Sequence, residues 1–244
     1  MGSMFLLLAL VTGGSLLTSL TGLGGGSLIL AGLLLIYPPE LAIPLHSFTQ
    51  VTANGIRAGL YRKTVNWKIV FAYASLMLPF AWLGALLFDY VNPSWLKIFV
   101  GFFLLFSILP LKLHPKDEPD SKTFVLLGAL SGFLGIFVGA VGPMVTPFFN
   151  RIKLGRDGVL STKSAGQMLL QLSKIVAFFG AAGVDFVTLK DHVGLLVFGS
   201  ILGVAISIPI GKRISDKTMT FFVNILLGII SVKILSEGLR EIFF

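Results

Sequence analysis

A chain of 244 residues that is 55% hydrophobic and only 12% charged, with a mean hydropathy of +0.92, lies outside the range of water-soluble domains and predicts an all-α integral membrane protein. The absence of cysteine excludes disulfides and thiolate metal sites. The net charge of +8 is spread over short loops instead of forming an arm, so it reads as membrane orientation and contact with the lipid bilayer, with no nucleic acid partner.

In chain order, the first apolar region, 4–37, is interrupted by Gly22-Leu23-Gly24-Gly25-Gly26. No basic residue precedes it and no small-residue cleavage site follows it, which predicts a retained segment and not a signal peptide. Apolar runs at 42–62, 68–91 and 95–113 come next, each near the ~20 residues that cross a hydrocarbon core of ~30 Å. The polar stretch His114–Ser121, with two prolines and mixed charges, reads as a linker. A second broken region, 123–149, carries Gly139-Ala140-Val141-Gly142-Pro143, and runs at 160–182, 188–211 and 218–236 complete the chain.

The two halves repeat. Gly139 stands 117 positions after Gly22, and at the same offset the stretch from His46 to Arg57 lines up with that from Lys163 to Lys174, matching basic, Ser, Gln, amide and basic positions. One membrane domain, 1–244, is expected, with repeat 1 at 4–113, a linker at 114–121 and repeat 2 at 122–244.

Loop charges set the relation between the repeats. Four plain crossings per half would place corresponding loops on one side, yet Arg62, Lys63 and Lys68 face only Lys190 in the matching loop. Likewise Arg151, Lys153, Arg156 and Lys163 match a stretch, Pro38–Pro44, with no Lys or Arg. The conflict disappears if each glycine-broken region is a re-entrant or doubly crossing helical hairpin, followed by three transmembrane helices, so that the repeats are inverted. Those seven residues, with Lys112, Lys116, Lys122, Lys212, Arg213 and Lys217, then lie on the cytoplasmic side, against Lys97, Lys190 and Arg240 outside. This positive-inside bias predicts both termini outside.

Gln50, Asn54 and Arg57 recur at helical spacing, as do Gln167, Gln171 and Lys174, and each set forms one polar stripe that His46 or Lys163 extends by a turn. Ionisable groups within spans face the protein interior or water and mark functional sites. Three consecutive glycines at Gly24, Gly25 and Gly26 break a helix, and Gly142 with Pro143 marks the second break. Irregular backbone at that depth survives only inside protein or along a cavity. Short helices starting near Ser27 and Met144 would aim their N-termini there, and Pro143 suits a first turn. The acidic residues lie in loops or near span ends, as Asp89 and Asp191 do, and none lies in a span's interior, so neither an oxygen-ligand cation site nor a carboxylate proton relay is expected. The expected ligand is a small oxyanion held by cations, amides and helix ends. No metal or cofactor is expected. His46, His114 and His192 are scattered and no catalytic constellation converges, so no enzyme is predicted.

With its Gly-Leu-Gly-Gly-Gly break, duplicated four-segment unit, short central polar loop and a second break ending in Pro143 and Pro147, the chain resembles the TauE/SafE family of sulfite exporters, or TSUP anion permeases. The resemblance implies transport of sulfite, a sulfonate or a related organic anion across a bacterial or archaeal plasma membrane. It places Gly24, Gly25, Gly26 and Gly142 near the substrate. The expected mechanism is export by alternating access. An anion-selective channel and a non-transporting membrane subunit stand as alternatives, and the oligomeric state is left open.

Overall fold

The computed structural model describes residues 2–21, 25–109, 118–210 and 216–243. The first half forms α1 (Gly2–Thr21), α2 (Gly25–Leu34), α3 (Pro39–Leu60), α4 (Trp67–Ala74), α5 (Met77–Phe88) and α6 (Pro93–Ile108). The second forms α7 (Ser121–Val138), α8 (Gly142–Phe149), α9 (Gly155–Gly180), α10 (Lys190–Ile210) and α11 (Asp216–Phe243), and no strand occurs among the described residues. Starts are set by local chemistry. The Asn66 and Asn92 side chains accept from the amides of Ile69 and Ser94. Asp120 accepts from the amide and hydroxyl of Thr123, bonds that hold its exposed carboxyl below the usual carboxylate range.

Each glycine break divides its region unequally, into a long helix (α1 or α7) and a short one (α2 or α8). Both short helices begin at equivalent glycines, Gly25 and Gly142, slightly ahead of the Ser27 and Met144 starts read from sequence. Gly22, Leu23 and Gly24 lie outside the described residues. At the second break, Gly139 takes φ 73°, a left-handed conformation glycine adopts freely, and its amide closes the last turn of α7 on the Gly135 carbonyl. In the first half α2 folds back along α1, Gly25 against Thr18, Ile29 against Gly14 and Gly32 against Leu10, an antiparallel helical hairpin.

The single run expected at 68–91 is two helices. Pro79 has no N–H to offer the Ser75 carbonyl, so the helix breaks at Ser75 and Leu76, where Ser75 Oγ donates to the Ala72 carbonyl. The stretch from Trp67 to Phe88, like those from Ser121 to Val138, Lys190 to Pro209 and Phe221 to Phe243, is long and apolar enough to cross a membrane. Exposed Tyr61 and Trp67 stand at one end of the α4–α5 segment and exposed Tyr90 and Trp95 near the other, as in the aromatic belts of membrane proteins.

Tertiary packing exchanges helices between the halves. α1 packs chiefly on α10, and α4 and α5 pack chiefly on α7 and α9. The equivalent pairs α3 with α9 and α6 with α11 pack on each other. Contact order along these pairs gives their directions. Gly55 meets Met168 while Thr64, further on, meets Ser161, so α3 and α9 are antiparallel. Ser94 meets Glu241, Gly101 meets Leu235 and Ile108 meets Gly228, so α6 and α11 are antiparallel too. α1 and α10 run parallel, since Gly199 meets Leu8 and Val11 while Gly203 meets Ser15 and Leu16.

The crossing of the α4–α5 segment with α7 is backbone against backbone: a Cβ on Gly128 would strike the Tyr73 carbonyl of α4, and one on Gly132 the Met77 carbonyl of α5. Gly128→Ala is therefore expected to cost about 1–3 kcal/mol of overpacking. That corresponds to a melting temperature lowered by roughly 2–12 °C in detergent; an unchanged melting curve would contradict this crossing.

A large apolar core encloses a set of buried polar residues, and the outer surface is apolar as well. Phe71, Leu83, Leu87, Phe102, Phe179, Phe198, Phe221 and Ile229 are exposed, whereas His46, Gln50, Asn54, Arg57, Gln167, Gln171 and Lys174 are buried. That surface suits hydrocarbon and is costly in water. α3 and α9 carry the buried polar faces, and together they form the floor of the site described next.

Candidate functional site

A cavity of about 60 Å³ lies between the two polar stripes. The first half contributes Thr18, Gly26, Ser27, His46, Gln50, Asn54 and Arg57, and the second contributes Ala140, Gly142, Pro143, Thr146, Lys163, Ser164, Gln167 and Gln171. No Asp or Glu is among these residues. The volume suits a few waters or one small oxyanion.

Helical spacing explains the convergence. Residues three and four apart share a face, so Gln50, Asn54 and Arg57 present one row from α3 and Lys163, Gln167 and Gln171 present one from α9. The antiparallel crossing brings the rows together. The first turns of α2 (Gly26, Ser27) and α8 (Gly142, Pro143) reach the same cavity, adding helix N-termini with their partial positive charge. Pro143 supplies no N–H, so α8 presents fewer amides than α2.

Arg57 is the best-held cation. Its Nε donates to the Ala53 carbonyl at 3.2 Å, Nη1 to the Thr18 carbonyl at 3.0 Å and Nη2 to Asn54 Oδ1 at 2.8 Å. A guanidinium has five N–H donors, so two remain for a ligand. The Thr18 bond also ties α3 to the last turn of α1, satisfying a carbonyl that the helix end leaves free. Across the cavity Lys163 Nζ donates to Thr146 Oγ1 at 3.4 Å, and that hydroxyl donates to the Gly142 carbonyl at 2.7 Å. His46 Nε2 donates to the Gly26 carbonyl at 2.9 Å, which fixes the first turn of α2.

Of the residues read from sequence as site candidates, Gly26, Gln50, Asn54, Arg57, Gly142, Gln167 and Gln171 line this cavity. Gly24 lies outside the described residues. Gly25 does not line it: there a Cβ would strike the Thr18 side chain and the Gly14 carbonyl, so this glycine serves the close approach of α2 to α1. Lys174 does not line it either. It is 0% exposed and its Nζ donates to the Gly139 carbonyl at 2.8 Å, with its stem beside Gly135 at the end of α7. Lys174 thus does at the second break what Arg57 does at the first through Thr18, without reaching the cavity. The cavity cation of the second half is Lys163, eleven residues earlier. Its signal was present in the sequence, one turn further along the stripe at the position equivalent to His46.

A buried ammonium whose bond on this side is to a single carbonyl is expensive to keep. Lys174→Met should therefore melt, without ligand, at or above the wild-type temperature, while the stabilisation given by a bound anion shrinks. A melting temperature several degrees below wild type would mean that the Gly139 bond outweighs the buried charge.

No curated protein and no solved structure matches this chain. A family model described as sulfite exporter TauE/SafE matches residues 5–234. With the match covering nearly the whole of a helical, membrane-spanning chain, the protein belongs to the sulfite exporter TauE/SafE family, membrane transporters of sulfite and related anions.

Proposed function

We propose that this protein exports sulfite or a small organic sulfonate across the plasma membrane by alternating access, with the anion held between α3 and α9. The observation that carries the reading is a cavity lined by Arg57, Lys163, three glutamines and Asn54, with two helix N-termini and no carboxylate. Oxyanions accept several hydrogen bonds at once, and every one of these groups can donate. Gln50, Asn54, Gln167 and Gln171 orient the oxygens, Arg57 and Lys163 neutralise the charge, and Gly26 and Gly142 let backbone approach closely. Lys174 acts from behind the cavity, holding the Gly139 break that carries α8.

Inverted repeats are supported by the antiparallel packing of two pairs of equivalent helices, α3 with α9 and α6 with α11. Two copies related by an axis lying in the membrane have this property, and it fits the positive-inside bias with both termini outside. In this arrangement the α1–α2 and α7–α8 hairpins enter and leave on one side, with their breaks at the site.

The exchange of helices changes what moves. Because α10 packs with α1 and α3, and α4–α5 with α7 and α9, the rocking units are α1–α2–α3–α10 and α7–α8–α9–α4–α5, not the two sequence halves. The cavity lies on the seam between them. α6 and α11, paired with each other, form a frame.

A monoanion leaving a negative-inside cell gains about 2.3 kcal/mol per 100 mV, so export needs no coupling ion. In proteoliposomes, sulfite efflux should carry net charge and accelerate with an applied potential. Electroneutral flux that appears only with a proton or sodium gradient would sink the uniport mechanism.

A further inference from the structure

We infer that Tyr73, which lies outside the cavity, is a positioning residue whose hydroxyl fixes the amide of Gln167 and so decides which end of that amide meets the anion. The inference rests on the anion-site reading above.

Tyr73 is fully buried on α4, a helix of the first half, yet its hydroxyl serves the second half. Gln167 Nε2 donates to Tyr73 Oη at 3.1 Å, and Tyr73 Oη donates to Ser131 Oγ on α7 at 2.9 Å. The ring is held on its far side by an edge contact with Phe149, centroids 5.4 Å apart, and by Gly166, where a Cβ would crowd the ring. Three helices therefore fix one oxygen, and that oxygen holds one lining side chain. A phenol hydroxyl has a single proton, so once it is given to Ser131 the tyrosine can only accept from Gln167. Reversing the chain of donors, with Ser131 giving to Tyr73 and Tyr73 to the Gln167 oxygen, would turn the amide's NH₂ away from Tyr73. The direction of this short relay thus sets the polarity of Gln167 toward the ligand.

The equivalent amide has no such support. Among the described residues Gln50 bonds only to the hydroxyl of its neighbour Thr49, at 3.3 Å. The two repeats therefore offer chemically unequal amides to one ligand: Gln167 is preset from outside the cavity and Gln50 is free to follow. A preset donor loses less freedom on binding, so affinity is where the relay acts.

The test is calorimetric titration of purified protein with sodium sulfite, using Tyr73→Phe, Gln167→Met and the double variant. Tyr73→Phe keeps the ring and its packing and removes only the hydroxyl. It should weaken sulfite about five-fold, the worth of one neutral hydrogen bond. Gln167→Met should weaken it at least as much, and adding Tyr73→Phe to it should change nothing further, a masking that a purely structural tyrosine would not produce. Unchanged affinity in Tyr73→Phe, or losses that simply add, would overturn the inference while leaving the anion site intact. A wild-type protein that binds no sulfite would overturn both. Ser131→Ala reaches the same amide one bond further out and serves where Tyr73→Phe yields no folded protein; it too should lose affinity, and undiminished binding there counts against the relay.

Discussion

Arg57→Ala is expected to bind sulfite at least ~100-fold more weakly than wild type, the largest effect of any single replacement in the cavity. Two guanidinium N–H groups remain unspent after the bonds to Ala53, Thr18 and Asn54. Hydrogen bonds to charged groups contribute about 1.5–3 kcal/mol each, and ~1.4 kcal/mol is tenfold in affinity. Arg57→Lys should recover part of the loss, since it restores charge but not the planar fork that presents two donors together. Titration calorimetry reads both. Affinity within threefold of wild type in Arg57→Ala would remove this residue from the site.

The second large effect concerns motion. Gly55 on α3 and Met168 on α9 face each other across the seam, a Cβ on Gly55 lying 3.8 Å from Met168 Cγ, and the chain has no cysteine of its own. The pair Gly55→Cys and Met168→Cys should therefore form one disulfide without background. If the α1–α2–α3–α10 and α7–α8–α9–α4–α5 units rock about this seam, oxidation stops sulfite flux in proteoliposomes and reduction restores it. The rival reading, a channel with the same cavity, needs no sliding of α3 on α9 and predicts continued flux through the crosslinked protein.

Much of this architecture was legible in the sequence because membranes punish polar groups so heavily that the survivors stand out. The glycine breaks and the recurrence from His46 to Arg57 and from Lys163 to Lys174 identify α3 and α9 as equivalent polar helices from the residues alone. Other features have no such signal. Helical periodicity says which face is polar, not which neighbour covers it, so the exchange of α4–α5 and α10 between halves could not be read. Repeat equivalence paired Arg57 with Lys174, and the two do bond the ends of equivalent helices, but only the longer, forked arginine also reaches the cavity. Lys163 takes that place because the helix turns it toward Thr146 and α8. The break at Ser75 and Leu76 was signalled by Pro79, a residue whose effect falls on the preceding turn. Tyr73, apolar by its surroundings and polar by one oxygen, gave no sequence signal: its partners Gln167 and Ser131 lie on helices far along the chain.

The most direct test of the anion site is a crystal structure with selenite, the heavier analogue of sulfite, located by the anomalous signal of selenium. The account predicts one strong peak between α3 and α9, with its oxygens within hydrogen-bond distance of Arg57 and Lys163. A selenium peak elsewhere in the molecule, or an empty cavity at saturating selenite, would contradict it.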